Sequence, residues 1–164
     1  MDDKQAPATA SWRYLYREEA GRIDAVTWWR GTLLLVTLLA VLTLGLAFVL
    51  PHVEHDLSKT PLLSPWAFGA NLYVLIYTFA LILIGICHYN LSAKRWRDRG
   101  RPAALAGLLP FLAFLSGALH WLASQVGAAL PPATTIAADI LLVVTLLWNI
   151  IDLGGLAPTS RRQD

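Results

Sequence analysis

Two ionisable side chains, His120 and Asp139, lie inside long apolar stretches of the sequence, where a charged group is costly unless it has a partner. A short connection, QVGAALPP, separates the two stretches and predicts a tight helical hairpin. Residues equally far from such a connection lie at similar depth, and this holds for His120 and Asp139. We therefore expect them to face each other as an intramembrane pair, which either locks the hairpin or serves as a proton or ligand site.

Two further imidazoles, His52 and His55, lie three positions apart in the sequence PHVEHD. Imidazole is a zinc ligand, but a zinc site needs about four ligands, so His120 would have to join them. We therefore predict no metal, no cofactor and no catalytic residue, and we predict that the protein is not an enzyme. An intramembrane enzyme or redox protein that uses these three histidines is an alternative.

The densest charge lies in AKRWRDRGRP, residues 93–102, where five basic residues surround Asp98. Asp152, near the end of the last apolar stretch, needs a cationic partner, and the nearest cations belong to 93–102. This predicts an ion-pair network between the two segments, or a site for an anionic lipid headgroup or a partner's acidic surface, because arginine forks suit phosphate and carboxylate. The predicted cluster consists of Arg22, Arg95, Asp98, Gly100, Arg101 and Asp152. We predict no nucleic-acid partner, because the basic run is short and no recognisable binding module accompanies it.

Membrane-spanning elements must position these residues, because the chain of 164 residues is too apolar for a soluble domain. Hydrophobic residues make up 56% of it and charged residues 15%, whereas about a quarter of a soluble domain is charged. Its apolar runs can cross a hydrocarbon core of about 30 Å, and they must be helical because lipid offers the backbone no hydrogen bonds. We place four spans at about residues 28–50, 66–88, 103–124 and 133–156. The charged stretch at 89–102 then connects the second span to the third.

The predicted fold is an all-α integral membrane four-helix bundle with an N-terminal interfacial segment and a single transmembrane domain at 28–156. Residues 1–27 form a cytoplasmic tail and the interfacial segment, and residues 157–164 form a second cytoplasmic tail. Ser11 is placed to cap a short interfacial helix. That helix would carry Trp12, Leu15 and Tyr16 on one side.

Lysine and arginine are distributed unevenly between the two sides of the predicted spans. Twelve of the 13 lie in the N-terminal segment, in residues 89–102 and in the C-terminal tail, and Lys59 lies on the other side. The positive-inside rule then places both termini and residues 89–102 in the cytoplasm. The basic residues of the charged stretch would act as a topology anchor, attracted to anionic lipid headgroups. Such an anchor needs neither Asp98 nor Gly100.

AKRWRDRGRP resembles the signature of the small bacterial inner-membrane proteins catalogued as domain of unknown function 805, which has a basic pair, a bulky residue, His or Arg, Asp, any residue and then Gly-Arg. The matching positions are Lys94, Arg95, Trp96, Arg97, Asp98, Gly100 and Arg101. GRIDAVTWWRG resembles a second mark of that family, a Gly-Arg before a Trp-rich entry into the first span. Its matching positions are Gly21, Arg22, Trp28 and Trp29. The resemblance covers roughly residues 15–150 and implies four spans in a bacterial inner membrane, without implying a biochemical activity.

We expect a small, non-enzymatic inner-membrane protein that acts as an accessory, interaction or lipid-associated protein. Its expected partners are anionic lipid headgroups at the cytoplasmic face, and a membrane protein or a second copy of the chain. Small residues four apart, such as Ala113 and Gly117, permit close helix approach. The alternative function is a minimal transporter or channel component that uses Asp139 and His120.

Overall fold

A computed structural model of the chain describes residues 11–53, 64–126 and 129–155, and within these ranges it contains helices and no strands. Short 3-10 helices at Leu50–His52 and Ala103–Gly107 adjoin two of the α-helices. The α-helices of the described ranges are α1 (Trp12–Tyr16), α2 (Ala25–Val49), α3 (Pro65–Asp98), α4 (Leu108–Val126) and α5 (Pro132–Gly154). The predicted all-α class is confirmed.

Four helical segments of the described chain are long and apolar enough to cross a membrane. They are Ala25–His52, Pro65–Asp98, Ala103–Val126 and Pro132–Gly154. Only 6 to 17% of the residues in their most apolar windows are buried inside the structure, so most of their apolar side chains face outward. Outward apolar surface of this extent is costly in water and is satisfied by lipid. The four helices therefore indicate a multi-pass membrane protein.

The helix α3 is ten residues longer at its C-terminal end than the predicted second span, because the charged stretch continues the helix to Asp98. The structure therefore differs from the prediction that residues 89–102 are a connecting segment. The predicted boundary followed the fall in hydropathy, yet lysine and arginine are good helix formers and residues 89–99 contain neither glycine nor proline. At 1.5 Å per residue α3 is about 50 Å long, which exceeds a hydrocarbon core of about 30 Å.

Gly100 ends this long helix. Its φ of 68° lies in the left-handed region, which glycine adopts without the steric cost of a Cβ. The Gly100 N–H donates to the Arg97 carbonyl at 3.0 Å and the Arg101 N–H donates to the Trp96 carbonyl at 2.9 Å. This is the hydrogen-bond pair of a Schellman C-cap, and it explains a glycine that a topology anchor does not need.

The described chain falls into two compact units, one made of residues up to 31 together with those from 87 onward, and one made of residues 32–86. In the second unit α2 and α3 run antiparallel. The rings of His52 and Trp66 lie 6.0 Å apart near the ends of the pair, and Thr43 Oγ1 lies 3.2 Å from the Tyr77 hydroxyl further along it.

The first unit begins with the short helix α1. Its N-terminal end is capped as the sequence predicts, because the Tyr14 N–H donates to Ser11 Oγ at 3.2 Å. Trp12 and Tyr16 have ring centroids 5.2 Å apart and so lie on the same side of the helix. Trp12 is nevertheless 67% exposed, whereas Tyr16 is buried.

A tight turn leads from α1 toward α2. The Tyr14 hydroxyl donates to the Arg22 carbonyl at 3.0 Å, and the adjacent Gly21 has a φ of 103°. A Cβ at Gly21 would overlap the Tyr14 hydroxyl, so this position requires glycine for both conformation and space. Burial raises the pKa of the Tyr14 phenol above its ordinary value, which keeps it neutral and able to donate at physiological pH.

Asp24 caps the N-terminus of α2. Its Oδ1 accepts from the Thr27 N–H at 3.0 Å, and its carbonyl accepts from the Trp28 N–H at 3.0 Å. Hydrogen bonding from Thr27 holds the pKa of the Asp24 carboxyl below its ordinary value. The ionised form therefore satisfies the otherwise unpartnered first turn of the helix.

We predict that Asp24→Ala lowers the free energy of unfolding by about 1 kcal/mol at neutral pH, through loss of this cap. Because the folded-state pKa of Asp24 is depressed, the contribution is full above the ordinary pKa and is lost as the pH falls through the folded-state value. Asp24→Asn should keep the cap without this pH dependence. Thermal unfolding of the detergent-solubilised protein, followed by circular dichroism at neutral and acidic pH, measures both effects. An Ala variant as stable as the parent at neutral pH would contradict the assignment.

Candidate functional site

Two adjacent cations near the end of α3, Lys94 and Arg95, are both buried in the first unit. A buried cation must be paired or hydrogen-bonded, because an unsatisfied one costs several kcal/mol in desolvation. Consecutive residues point about 100° apart around a helix, so the two side chains can reach different neighbours. Each of them connects α3 to a separate part of the chain.

Arg95 connects α3 to the C-terminal end of α5. Its Nε donates to the Leu153 carbonyl at 2.9 Å, its Nη2 donates to the Gly155 carbonyl at 2.8 Å, and its Nη1 is paired with Asp98. Trp29 Nε1 donates to the carbonyl of Gly154, the residue between Leu153 and Gly155, at 3.2 Å. The last carbonyls of a helix have no partner within it and form the negative end of its dipole. A guanidinium and an indole therefore cap α5 from outside.

Lys94 holds the N-terminal segment, which we define as residues 11–24, against α3. Its Nζ donates to the carbonyls of Leu15, Glu18 and Asn90, the first and last at 3.3 and 3.4 Å. The same ammonium lies 5.1 Å from the centroid of the Tyr14 ring, within range of a cation–π contact. Three carbonyl oxygens and an aromatic face thus replace the water that Lys94 loses on burial.

Neighbouring residues of α3 extend this junction. Asn90 Nδ2 donates to the Tyr16 carbonyl at 2.8 Å. About two turns further on, Arg97 pairs with Glu19, with Nη2 2.8 Å from Oε1 and Nη1 bonded to the Glu19 carbonyl. The N-terminal segment is therefore attached mainly through its backbone carbonyls, which a residue of any type can offer.

Asp152, near the end of α5, is satisfied by three donors. Arg99 Nη2 lies 3.0 Å from Oδ1, and Arg101 Nη1 lies 3.2 Å from Oδ2. Trp148, one turn earlier on α5, donates from Nε1 to Oδ2 at 3.0 Å. Arg101 also lies 5.7 Å from the ring centroid of the buried Trp96. The expected pairing of Asp152 with cations of the charged stretch is present.

The predicted cytoplasmic cluster is thus largely assembled in the structure. Arg95 pairs with Asp98, Arg101 pairs with Asp152, and Gly100 ends the helix between these two pairs. Arg22 is exposed, and it enters the tight turn of the N-terminal segment through its carbonyl.

Sequence reasoning missed Lys94 and Arg99 as members of this cluster. The absence of a helix breaker between residues 89 and 99 was the available signal that this stretch is helical. It was not enough to indicate which cations are buried, because the burial depends on the packing of α5 and the N-terminal segment.

The second predicted pair lies in the hairpin of α4 and α5. His120 Nε2 is 3.0 Å from Asp139 Oδ2 and 3.2 Å from Oδ1, as the equal distances from the connection led us to expect. Ser116, which sequence reasoning missed, donates from Oγ to Asp139 Oδ1 at 2.6 Å. Ser116 lies one turn before His120 on α4, so spacing could have suggested it.

The order of these three groups determines their chemistry. Asp139 lies between Ser116 and His120, whereas a nucleophilic serine needs the imidazole as its direct partner with the carboxylate behind it. This arrangement joins α4 to α5 and offers a carboxylate–imidazole pair, which is suited to hold or exchange a proton.

The third set of candidates, the histidines of the first connection, is only partly described. His52 ends the 3-10 helix that follows α2, and His55 lies outside the described residues. Among residues 11–53, 64–126 and 129–155, no group of three or more His, Cys, Asp or Glu residues is arranged to hold a metal ion.

Exposed residues of the N-terminal side form a further surface. Trp12 is 67% exposed, and Arg13, Arg17, Arg22 and Arg30 are exposed as well. An aromatic ring with several guanidinium groups is suited to the headgroup region of a membrane, where one side of the environment is apolar and the other is wet and anionic. We name Trp12, Arg13 and Arg17 the α1 surface.

The chain was compared with protein-family models, with curated proteins and with solved structures. No family model, curated protein or solved structure matches it.

We predict that Lys94→Met releases the N-terminal segment, because it removes the charge-assisted bonds to the Leu15 and Glu18 carbonyls. Such bonds contribute about 1.5–3 kcal/mol, which corresponds to roughly a tenfold or larger rise in the population of the released state. Limited proteolysis follows that population when release is fast compared with cleavage. Trypsin cleavage after Arg13 and Arg17 should therefore become roughly tenfold faster or more.

Arg101→Gln is the matched control for this experiment. It also removes a cation of the same stretch, but Arg101 contacts Asp152 and Trp96 rather than the N-terminal segment. Its cleavage after Arg13 and Arg17 should match that of the parent protein. Equal cleavage rates for the Lys94→Met variant and the parent would show that Lys94 does not hold the segment.

Proposed function

We propose that this protein is a non-enzymatic, lipid-associated accessory protein of a bacterial inner membrane, with both termini in the cytoplasm. The orientation is supported by the distribution of charge, because twelve of the 13 lysines and arginines lie on one side of the four spans. We also propose membership of the family catalogued as domain of unknown function 805.

The family proposal is supported by the backbone conformations and hydrogen bonds of residues in its two sequence marks. Gly21 and Gly100, one from each mark, have φ values of 103° and 68°, which glycine tolerates best. Of the tryptophans in the second mark, Trp28 donates to Ser92 Oγ at 3.2 Å and Trp29 donates to the end of α5. The residues that carry the resemblance therefore hold the first unit together.

The α1 surface is the observation that carries the lipid-associated function. Lys94 and Asn90 hold α1 beside the end of a membrane-spanning helix, so Trp12, Arg13 and Arg17 are presented at the membrane boundary. Each basic residue near an anionic surface contributes about 1 kcal/mol of attraction. An exposed tryptophan adds an interfacial anchor.

The charged stretch itself is less available for lipid than its five cations suggest. Arg97, Arg95 and Arg99 are paired with Glu19, Asp98 and Asp152 respectively. Lys94 is buried against backbone carbonyls. These four cations therefore bind groups of the protein itself. The α1 surface, whose arginines are exposed, is the better candidate for contact with lipid headgroups.

We predict that Arg13→Gln combined with Arg17→Gln lowers the affinity for anionic phospholipid by roughly tenfold to thirtyfold, since two contributions of about 1 kcal/mol are lost. The full chain would be purified by gentle extraction and exchanged into nanodiscs of mixed phosphatidylglycerol and phosphatidylethanolamine. Native mass spectrometry then counts the retained molecules of each lipid. The zwitterionic lipid should be unaffected.

Glu19→Gln combined with Arg97→Gln provides a charge-neutral control in the same region. This variant removes one acid and one base, neither of which belongs to the α1 surface, while Lys94 and Asn90 still hold the N-terminal segment. Its retention of phosphatidylglycerol should match that of the parent protein. The proposal fails if the variant that lacks Arg13 and Arg17 retains as much anionic lipid as this control.

A second candidate function is a minimal transporter or channel component, favoured by the pair His120 and Asp139. Its side chains are 56% and 45% exposed although they lie within helices long and apolar enough to span a membrane. Ionisable groups in such positions commonly mark ion or proton pathways.

Under this second candidate, Asp139→Asn should abolish flux through the protein, because the carboxylate that binds the cation or proton is lost. A pH-sensitive dye inside proteoliposomes under an imposed membrane potential measures proton flux. Ser124→Ala is the control, because Ser124 is a polar residue of α4 whose hydroxyl donates to the Trp121 carbonyl and accepts from Gln125 rather than bonding to the His120–Asp139 pair. Flux no faster than in protein-free liposomes would exclude a proton pathway.

A further inference from the structure

One side of the α4–α5 hairpin combines small residues with ionisable ones. We define the hairpin face as Ala113, Gly117 and His120 on α4 together with Ile136, Asp139 and Val143 on α5. The α4 members recur at intervals of four and three residues, so they form one stripe along that helix. All three of them, and both apolar members on α5, are exposed.

The polar pair of this face is incompletely shielded for its position. His120 and Asp139 lie about two helical turns from the connection between α4 and α5, and their side chains are 56% and 45% exposed. Ser116 and His120 satisfy part of the Asp139 carboxylate. The remaining lone pairs and the second ring nitrogen of His120 need a polar partner, because hydrocarbon provides none.

The small residues of the face leave room for such a partner to approach closely. A Cβ built on Gly117 would meet no atom within 4 Å among the residues that the structure describes, so packing between those residues does not require a glycine here. Ala113 lies one turn earlier on the same stripe. Small residues four apart let two helix backbones approach closely in membranes, where van der Waals contact is a main source of association energy.

We infer that the hairpin face is the interface between two copies of this chain. The face carries an acid and an imidazole side by side, so it is complementary to itself under a twofold rotation. In such an isologous contact His120 of each copy lies against Asp139 of the other. A face whose charges were all of one sign would instead repel a second copy and would favour a partner of opposite charge. The inference is independent of lipid association at the α1 surface, since it uses none of those residues.

Cysteine cross-linking in native membranes tests this arrangement. In a background of Cys87→Ser, which removes the chain's one cysteine, Ala113→Cys should give a disulfide-linked dimer on mild oxidation. Phe111→Cys is the matched control, because Phe111 is also exposed on α4 but lies about 160° around the helix from Ala113. It should give little dimer. Equal cross-linking at the two positions, or linkage of Ala113→Cys to a different protein, would overturn the inference.

Gly117→Leu tests the requirement for close approach. The leucine has open space within its own chain, so the fold should persist, but it would separate two facing helices. We expect the dimer fraction to fall about tenfold, because the two helix backbones could no longer approach closely. Gly69→Leu is the matched control. A Cβ at Gly69, in the spanning part of α3, also meets no described atom within 4 Å, but Gly69 lies outside the hairpin face, so this variant should leave the dimer unchanged. A dimer that persists with Gly117→Leu would contradict the proposed interface.

A charge exchange tests the polar contact. His120→Asp would place acids against acids across the interface and should reduce the dimer fraction about tenfold, like Gly117→Leu. Adding Asp139→His restores one acid and one imidazole in each copy and should restore the dimer. Thermal unfolding of the variants separates loss of the dimer from loss of the fold. Failure of the exchange to restore cross-linking in a folded protein would show that the pair acts within one chain only.

Discussion

The burial of two adjacent cations at the end of α3 is the constraint on which the first unit depends. Neither Lys94 nor Arg95 can remain buried without oxygen partners, and two separate parts of the chain supply them. Arg95 donates to the last carbonyls of α5, while Lys94 donates to carbonyls of the N-terminal segment. The same bonds satisfy backbone groups that a helix end and an irregular segment would otherwise leave without partners. By extending past its apolar part, α3 carries both side chains to these partners.

The two polar centres of the first unit differ in how completely they are satisfied. The charged end is closed, since Asp152 has three donors and Arg95 has two carbonyls and Asp98. The pair of His120 and Asp139 is open, since both side chains remain about half exposed. A closed network contributes rigidity, whereas an open pair within an apolar surface calls for a further partner. Because of this difference, we interpret the charged end as a structural junction, and we propose the hairpin face as the surface that binds a second copy of the chain.

The coarse fold was predictable because it depends on quantities that are local in the sequence. Apolar runs of sufficient length indicated four spans, and their helical state followed from the lack of hydrogen-bonding partners in lipid. The contact of His120 with Asp139 was predictable as well, since a short connection fixes which residues of a hairpin lie at equal depth. The end of α3 was not, because hydropathy marks where a helix leaves the apolar region rather than where the helix ends. The reason for a glycine at position 100 was not predictable either, since it lies in the positive φ at the C-cap of this helix.

The sequence by itself determined the class of the protein, the number of its spans, the uneven distribution of its basic residues and the pairing within one hairpin. Only the tertiary structure decided which of the clustered cations are internal. Lys94 and Arg99 carry the same kind of charge as the exposed Arg13 and Arg17, and no local pattern separates them. The distinction arises because the end of α5 and the N-terminal segment, distant in the chain, bring their carbonyls and Asp152 to the end of α3. A charge becomes structural when the fold provides its partners, and that depends on packing between segments remote in sequence.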